Sequence, residues 1–529
     1  MRLDARDGER IDRSQPVSFT FAGWKVTGYE GDTIASAAFA AGKRVFSRSF
    51  KYHRPRGLLC CSGHCPNCQM TVDGVPNVRV CTQPIREGAV VEGQNVRWSL
   101  DFDFMSVTDK VGGPFTPVGF YYRTFIRPRA AWPLYEKFLR SAAGLGKLDP
   151  HAGHTRRYDT EHRRARVLVV GAGAAGRAAA LEAARGGPGV VLVDEDARHR
   201  DLEVAGVEVL APARALGIWE GGLVPVDADT VLYRFRAEKI VVATGASEQP
   251  LVFAGNDLIG VMLPDGARRL IRDFSVKPGE RAVVLGSDDD TLAIADELTD
   301  AGIEVAKVVD LREVRPRELA AQGGKGRVRR LVIDGESTDC DLLVASGGRQ
   351  PNYSLLAQAG GKVEFDGALG VFVPTELPDG VEAVGSVTGE GLPRIAPEPA
   401  YKGGGKCFVC ICEDVTTKDM KRAIGEGFDS IELAKRYTTT TMGPCQGKLC
   451  HLPSIRLYAR ENETDEETIG TTTARPPWAP VSLGLLAGRP HEPAQRTSIH
   501  HRHKELGATM MWTGTWRRPH SYGDPDGEV

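Results

Sequence analysis

The 529-residue chain lacks any run of about 18 apolar residues, the length that a membrane-spanning helix needs. Its first residues, Met1-Arg2-Leu3-Asp4, are charged and do not resemble a secretory signal peptide. An excess of one charge is also absent, because the formal net charge is -2. Neither nucleic acid nor an acidic membrane surface is therefore indicated as a partner. We expect a cytoplasmic protein without a membrane span, whose partners are recognised at local sites.

The length exceeds what one hydrophobic core supports and predicts three to four domains. Apolar residues make up 41% of the chain and charged residues 26%, which is ordinary for globular proteins. Strand and helix patterns alternate along most of the chain, so the expected fold class is α/β and multidomain.

Cysteine is infrequent, but eight of the 11 cysteines fall in two closely spaced sets. The first set, C-x4-C-x2-C-x12-C, consists of Cys60, Cys65, Cys68 and Cys81. The second set, C-x-C followed after 32 residues by C-x4-C, consists of Cys410, Cys412, Cys445 and Cys450. Cysteines of a reducing compartment remain thiols unless a metal holds them, so both sets are predicted to be ligand sets.

The first spacing is typical of plant-type 2Fe-2S ferredoxins. Alternating residues 17–27 predict paired strands, and residues 33–42 predict a short helix that ends in glycine. Residues 1–100 are thus expected to form a ferredoxin-like β-grasp domain. Only the spacing selects Cys60 rather than Cys61 as the first ligand. A zinc site is the alternative, although zinc sites favour two C-x2-C pairs.

The second set resembles the bacterioferritin-associated ferredoxin type, a small helical shell around one 2Fe-2S cluster, here over residues 401–462. Two short helices are expected, at residues 418–425 and 430–436, with Thr416 as an N-cap. Two 2Fe-2S clusters are the simplest interpretation of eight cysteines in two sets, and the alternative for the second set is a zinc site. Cys61, Cys340 and Cys407 remain as core or incidental thiols.

A glycine-rich turn, residues 171–176, joins an apolar strand to an alanine-rich helix. Gly171 and Gly173 permit the turn and the approach of a pyrophosphate, and Gly176 permits close packing of helix on strand. The next strand ends in Asp194-Glu195, where a carboxylate can hold ribose hydroxyls. The pattern predicts a dinucleotide site.

Residues 164–400 resemble flavoproteins of the disulfide-reductase type, which carry two Rossmann domains, the second inserted here at about 278–348. In the second turn, Asp288-Asp289-Asp290 stand where a phosphate would lie, so nucleotide binding is expected to be lost there. Relatives that bind FAD end a later strand in Gly-Asp, whereas this chain has Gly385-Ser386, which leaves NAD and FAD both open. The residues predicted to contact the dinucleotide are Gly171, Gly173, Ala174, Ala175, Gly176, Asp194, Glu195, Thr244, Gly245, Gly385 and Ser386.

Nearly the whole chain resembles the alpha subunit of heterotetrameric sarcosine oxidase and, more broadly, those of proline, opine and hydroxyproline dehydrogenases and of hydrogen cyanide synthase. The resemblance rests on residues 49–57, 119–122, 171–176, 413–415, 430–438 and 451–456. It extends into residues 463–529, an extended tail similar to the lead-in to a folate-binding aminomethyltransferase-like domain. The segment 101–163 is expected to be a connector.

The resemblance implies an FAD-containing beta subunit that oxidises the amine, FMN at the interface with it, and small gamma and delta subunits. No catalytic residue is then required in this chain, and none is predicted. The folate function is expected to be absent or on a separate chain. Complete cysteine sets, which sarcosine oxidases have largely lost, favour an external one-electron acceptor over oxygen, so the first hypothesis is an alpha subunit that passes electrons from flavin through two clusters.

Three other functions stay open on the sequence. The first is the alpha subunit of a proline, opine or hydroxyproline dehydrogenase or of a cyanide synthase. The second is a stand-alone NAD(P)H-dependent ferredoxin reductase, which Ser386 and the altered second turn disfavour. The third is a scaffold whose nucleotide is purely structural.

Three further segments have two interpretations each. The aromatic residues of 115–125 fit a stacking platform or, more often, burial between domains. The basic stretch 51–56 fits a flavin phosphate or an interface, or else a solvated strand face. His500, His501 and His503 suggest a metal, but a surface loop is the favoured interpretation.

Overall fold

The computed structural model describes residues 1–110, 118, 127–142, 146, 156–395, 405–487 and 494–528. The aromatic residues predicted between 115 and 125, and the motif at 119–122, lie outside these described residues. Within them, no helix is both long enough and apolar enough to cross a bilayer.

The N-terminal part is a five-stranded mixed sheet with one helix packed on it. Thr33 begins the helix with a capping box, in which its side chain accepts from the backbone of Ser36 while the Ser36 side chain accepts from the backbone of Thr33. The helix spans Ile34–Ala40, and all but its last residue are buried. In spatial order, the strands are Trp24–Glu30, Asp12–Phe21, Val90–Glu92, Gln69–Val72 and Val75–Arg79. The predicted strands and helix at residues 17–42 are confirmed.

A seven-stranded sheet forms the middle of the chain, and its apolar core strands are parallel. The strands in order are Val207–Leu210, Val190–Val193, Asp159–Val170, Val231–Val242, Leu223–Ala228 and Arg214–Ala215, with Val381–Ala383 paired to Val231–Val242. Helix Ala174–Arg185 follows the glycine turn. Because the last strand returns from far along the chain, everything between it and Val231–Val242 is an insertion into this sheet.

The insertion contains a second, all-parallel sheet of four strands and smaller antiparallel pieces. The parallel strands in order are Val261–Met262, Leu342–Ser346, Arg281–Gly286 and Glu304–Asp310, with helices Pro264–Phe274 and Asp289–Asp300. Antiparallel partners are Leu319–Gly324, Arg327–Ile333 and Glu336–Asp339, then Ala246–Glu248 with Arg349–Pro351, and Lys362–Asp366 with Val371–Glu376. Helix Ser354–Gln358 lies before the last pair.

The C-terminal cysteine set is held by a short hairpin and four helices. The hairpin pairs Phe408–Cys410 with Val415–Thr416, and the helices are Thr417–Gly425, Ile431–Thr438, His451–Glu461 and Glu466–Ile469. Thr416 is the N-cap of the first helix, as predicted, because its hydroxyl accepts from the backbone of Asp419. The multidomain α/β fold class is therefore confirmed.

The remaining elements are short. They are helices Trp132–Ala142, Leu483–Ala487 and His500–Glu505, strands Ser47–Arg48 and Pro55–Arg56, which pair, and the small sheet of Gln495–Arg496, Thr509–Thr513 and Trp516–Ser521.

Candidate cluster and nucleotide sites

The four cysteines of the first set lie together in a buried loop and its following strand end. The Sγ atoms of Cys60 and Cys65 are 3.2 Å apart, which is a thiol contact and not a disulfide bond. Hydrogen bonds from Cys65 and Cys81 hold the pKa of the Cys60 thiol well below its usual value, and Cys81 also bonds to Cys68. Burial raises the pKa of the neighbouring Cys61 thiol, the residue that the spacing left out.

The second set forms a closed ring of sulfur contacts. Cys410 bonds to Cys412 and Cys450, and Cys445 bonds to the same two thiols. These hydrogen bonds lower the pKa of Cys410 and of Cys445 well below the usual value. All four side chains are at least 93% buried. Each set thus places four thiols together, which is the number of ligands that a 2Fe-2S cluster requires.

Backbone amides also point at the sulfurs. The amide of Cys65 lies 3.4 Å from the Cys60 sulfur, and the amide of Leu449 donates to Cys445. Donation to thiolates stabilises negative charge on sulfur and tunes a cluster's potential. Among the described residues, no group of three or more His, Cys, Asp or Glu side chains is placed to hold a single metal ion.

Half of the first cysteine set shares a hydrophobic core with the second set, whereas Cys68 and Cys81 lie in the core of the N-terminal sheet. Cys60 and Cys65 of the first set lie in the same buried cluster as all four cysteines of the second, together with Leu59, Tyr52 and Phe408. Gly443 approaches the second set so closely that an added Cβ would lie 2.5 Å from the Cβ of Cys412. Residues more than 340 positions apart in the sequence therefore bring both candidate clusters to one place.

The glycine turn has the geometry that a dinucleotide requires. Gly171 has a φ of 110°, and a Cβ there would lie 2.2 Å from the carbonyl oxygen of Ala243. A Cβ on Gly176 would lie 1.8 Å from the carbonyl oxygen of Gly171, whereas one on Gly173 would meet nothing within 4 Å. Two glycines are thus needed for packing, and the third leaves open the face that a pyrophosphate approaches.

The other predicted nucleotide residues lie around this turn. Gly385 faces the start of the helix, since a Cβ there would lie 2.5 Å from the Cβ of Ala175. Ser386 follows it in the short 3-10 turn Gly385–Thr388. Thr244 is fixed by hydrogen bonds in both directions with Asn352, both at 3.0 Å. The structure therefore brings the predicted residues to one end of the seven-stranded sheet.

The two acidic residues after the second strand differ in what they contact. Asp194 accepts from the backbone amide of Ala172 at 2.6 Å, so its carboxylate holds the glycine turn. Glu195 instead contacts His64 at 3.0 Å and Arg214 at 3.1 Å. Against burial, which would raise it, the hydrogen bond with His64 and the charge of Arg214 hold the pKa of the Glu195 carboxyl well below its usual value. Because His64 lies between Cys60 and Cys65, Glu195 joins the nucleotide end of the sheet to the first cysteine loop, a contact that the sequence did not predict.

Lys448, between the last two cysteines, is a further residue that sequence reasoning missed. Its Nζ donates to the carbonyl of Trp478 at 2.7 Å and lies 3.7 Å from the centre of that indole ring. Burial lowers the pKa of Lys448 to about 8, against the opposing charge of Glu195. The only feature of the sequence that could have identified Lys448 is its position inside the C-x4-C loop.

The second turn is built without room for a phosphate. Asp288 caps helix Asp289–Asp300, because its carboxylate accepts from the backbone of Thr291. Asp290 pairs with Arg349 at 2.9 Å. A protein carboxylate thus occupies the helix N-terminus that a nucleotide phosphate would use, which agrees with the expected loss of binding.

The basic stretch 51–56 is largely buried and ion-paired, so the solvated strand face is the wrong interpretation of it. Arg56 is 1% exposed and pairs with Asp414 and, at 3.2 Å, with Asp257. Arg54 also binds Asp257, with two nitrogens at 2.6 and 3.0 Å. Asp414 further accepts from the backbone of Lys51 at 2.7 Å. The stretch is therefore an internal ion-pair network that links both cysteine domains to the insertion.

The tail histidines lie on a helix and not in the loop that we predicted. His500, His501 and His503 belong to helix His500–Glu505, which has no buried residue. Of the three remaining cysteines, Cys61 and Cys340 are buried and Cys407 is half-buried.

Two protein families match parts of this chain, and curated proteins match nearly all of it. Residues 14–96 match the family described as "2Fe-2S iron-sulfur cluster binding domain", and residues 404–489 match the "Sarcosine oxidase A3 domain". The chain is 33% identical to the sarcosine oxidase subunit alpha of Rhizobium meliloti, over 96% of this chain and 62% of the relative. It is 28% identical to the corresponding subunit of Corynebacterium sp. (strain U-96), over 98% of this chain and 62% of the relative.

A solved structure shares the overall fold. The L-proline dehydrogenase structure from P. horikoshii superposes with a TM-score of 0.70 at 21% identity, covering 92% of this chain and all of the other. The chain spans about 62% of the length of the two curated relatives above.

Proposed function

Because the chain is homologous to sarcosine oxidase alpha subunits along nearly its whole length, we propose that it is the electron-transfer and dinucleotide-binding alpha subunit of a hetero-oligomeric flavoprotein. The enzyme oxidises a secondary amine, such as an N-methyl amino acid of sarcosine type. Electrons pass from flavin through two 2Fe-2S clusters to an external one-electron acceptor. Its cysteine usage suits the reducing cytoplasm.

One observation carries the proposal: half of the first cysteine set lies in the core that holds the second set, and the first cysteine loop meets the nucleotide end of the sheet. Cys60 and Cys65 lie in the same buried cluster as the second set. His64, between those two cysteines, contacts Glu195 at the end of the nucleotide strand. Two cysteine sets and a nucleotide site close together suit an electron relay. A zinc-binding scaffold would not need the three sites to be close to one another.

The residues present fit the cofactors. Cys60, Cys65, Cys68 and Cys81 would hold one cluster, and Cys410, Cys412, Cys445 and Cys450 the other. Each set supplies the four thiols that a 2Fe-2S cluster requires, with amides donating to sulfur, and the uneven spacing of the first set differs from the paired C-x2-C spacing of zinc sites. A bound cluster accepts one electron at a time, so two of them can divide the electron pair that a flavin hydroquinone releases.

The dinucleotide, NAD or FAD, would lie against the open face at Gly173, with its pyrophosphate at the N-terminus of helix Ala174–Arg185. That helix has no acidic residue in its first turn, so nothing there repels a phosphate. Gly385 and Ser386 would lie beside it. On this proposal, no catalytic acid, base or nucleophile is required of the chain, because the amine is oxidised at FAD in a separate beta subunit, with FMN at the interface.

The test is to purify the chain with its co-purifying subunits and to measure iron, acid-labile sulfide, released nucleotide and the EPR spectrum of the reduced protein. About four irons per chain, the content of two 2Fe-2S clusters, are expected, with two reduced signals and flavin in a partner. C60S should lose about half of the iron, whereas the matched variant C61S should keep all of it. Zinc in place of iron, or an iron content near zero, would overturn the relay.

A further inference from the structure

The guanidinium group of Arg79 reaches both cysteine loops. One of its Nη atoms donates to the carbonyl of Gly63, in the loop between Cys60 and Cys65. The other donates to the carbonyl of Pro444 at 2.6 Å, directly before Cys445. One guanidinium group therefore bridges the two carbonyl oxygens.

Arg79 is anchored firmly on the first side. It ends strand Val75–Arg79 and stands two residues before Cys81, and its own carbonyl accepts from the amide of Thr82 at 3.1 Å. The next residue, Val80, donates its amide to the carbonyl of Cys68 at 3.1 Å. Any movement of Arg79 would thus also move ligands of the first candidate cluster.

The second side is equally constrained. Pro444 follows Gly443, which leaves no room for a Cβ against Cys412. Pro444 therefore lies between Gly443, which packs against Cys412, and the next cysteine of the second set, Cys445. The Nε of Arg79 is buried without a hydrogen-bond partner, so the guanidinium is partly withdrawn from water. A positive charge in such surroundings is screened weakly.

From these contacts we propose that Arg79 is the positioning residue that couples the two clusters, and this inference rests on the function proposed above. Its fork fixes the distance between the loops, and its charge lies between the two cysteine sets. If both sets hold clusters, transfer between them would move one electron, so that the donor would be oxidised by one electron and the acceptor reduced by one. Arg79 would then lessen the repulsion that the added electron meets on either cluster.

The experiment compares R79M and R79K with R86M in the intact complex. Arg86 is a matched control, because it lies in the same domain but its side chain is 72% exposed. The readouts are the midpoint potentials of both clusters and the magnetic interaction between them in the EPR spectrum of the fully reduced protein. Iron content is measured first on every variant.

R79M should keep four irons, shift both midpoint potentials to lower values and weaken the magnetic interaction. R79K keeps the charge but cannot donate to both carbonyls in a fixed fork, so it should keep the potentials and weaken the interaction. R86M should match the native protein in both readouts. If R79M cannot be obtained with both clusters, R79K decides the matter by its magnetic interaction.

Two clusters with potentials and magnetic interaction unchanged in R79M, or an interaction unchanged in R79K, would overturn this inference and leave the proposed function standing. Absence of iron from the native protein would overturn both.

Discussion

The buried ion pairs around Asp257 offer a sharp test of how the domains are held together. Asp257 binds Arg54 through two nitrogens and Arg56 through one, and its side chain is 1% exposed. Replacing it by asparagine keeps the volume but removes the charge that two guanidiniums share. We expect D257N to lower the thermal stability of the region that joins the insertion to both cysteine domains.

The expected loss in the free energy of unfolding follows from the ion-pair partners that Arg54 and Arg56 keep in D257N. Removing one member of a buried pair costs about 3–5 kcal/mol. Arg54 keeps Asp109 at 2.8 Å and Arg56 keeps Asp414, so the lower end, about 3 kcal/mol, is expected. For a cooperative unit of 150–250 residues, each kcal/mol changes Tm by about 2–4 °C, which gives a decrease of about 6–12 °C.

The assay is differential scanning calorimetry of the loaded protein beside the matched variant D229N. Asp229 pairs with Arg156 at 2.7 Å, but the two side chains are 73% and 51% exposed, and such pairs are worth about 0–1 kcal/mol. D229N should therefore change Tm by no more than a few degrees. A decrease in D257N no larger than that in D229N would refute the claim that the buried network holds these domains together.

Two further predictions concern the nucleotide turn and a buried carboxyl. G173A should fold normally, because its Cβ enters open space, but it should lose the dinucleotide, because that space is where the pyrophosphate would lie. G176A should instead disturb folding, because its Cβ would lie 1.8 Å from the carbonyl oxygen of Gly171. Circular dichroism measures the folding of each variant, and chromatography of the released nucleotide measures its binding. Burial and the nearby Asp265 carboxylate raise the pKa of Glu248 from 4.5 to about 8. Between these two pH values the folded state binds the proton more tightly than the unfolded state, so the free energy of unfolding should fall as pH rises from about 4.5 to 8. E248Q should flatten this slope in urea titrations at several pH values, and an unchanged slope would contradict the assignment.

Local patterns in the sequence predicted local structure well. The short helix after Thr33, the N-cap at Thr416 and the glycine turn all depend on residues within a few positions of one another, and each is present in the structure. Spacing alone also grouped eight cysteines into two sets whose thiols do lie in contact.

The sequence could not predict contacts between distant segments. Asp414 accepts from the backbone of Lys51 across 363 positions, and no periodicity or spacing encodes such a pairing. For that reason the sequence left the basic stretch 51–56 open between a flavin phosphate or an interface and a solvated strand face, and it did not identify the internal ion pairs. The contact of His64 with Glu195, across 131 positions, was missed for the same reason.

The placement of the cations bears on how the two clusters proposed above could be buried side by side. Burial of charge is costly unless opposite charge or hydrogen bonds compensate for it. Arg79 lies between the loops, and Lys448 lies in the second loop, where burial lowers its pKa to about 8. An electron relay would need its clusters close together and shielded from water, which would bring like charges near each other. The positive side chains at this junction would reduce that repulsion, so the contacts that join the domains would also stabilise two neighbouring clusters electrostatically.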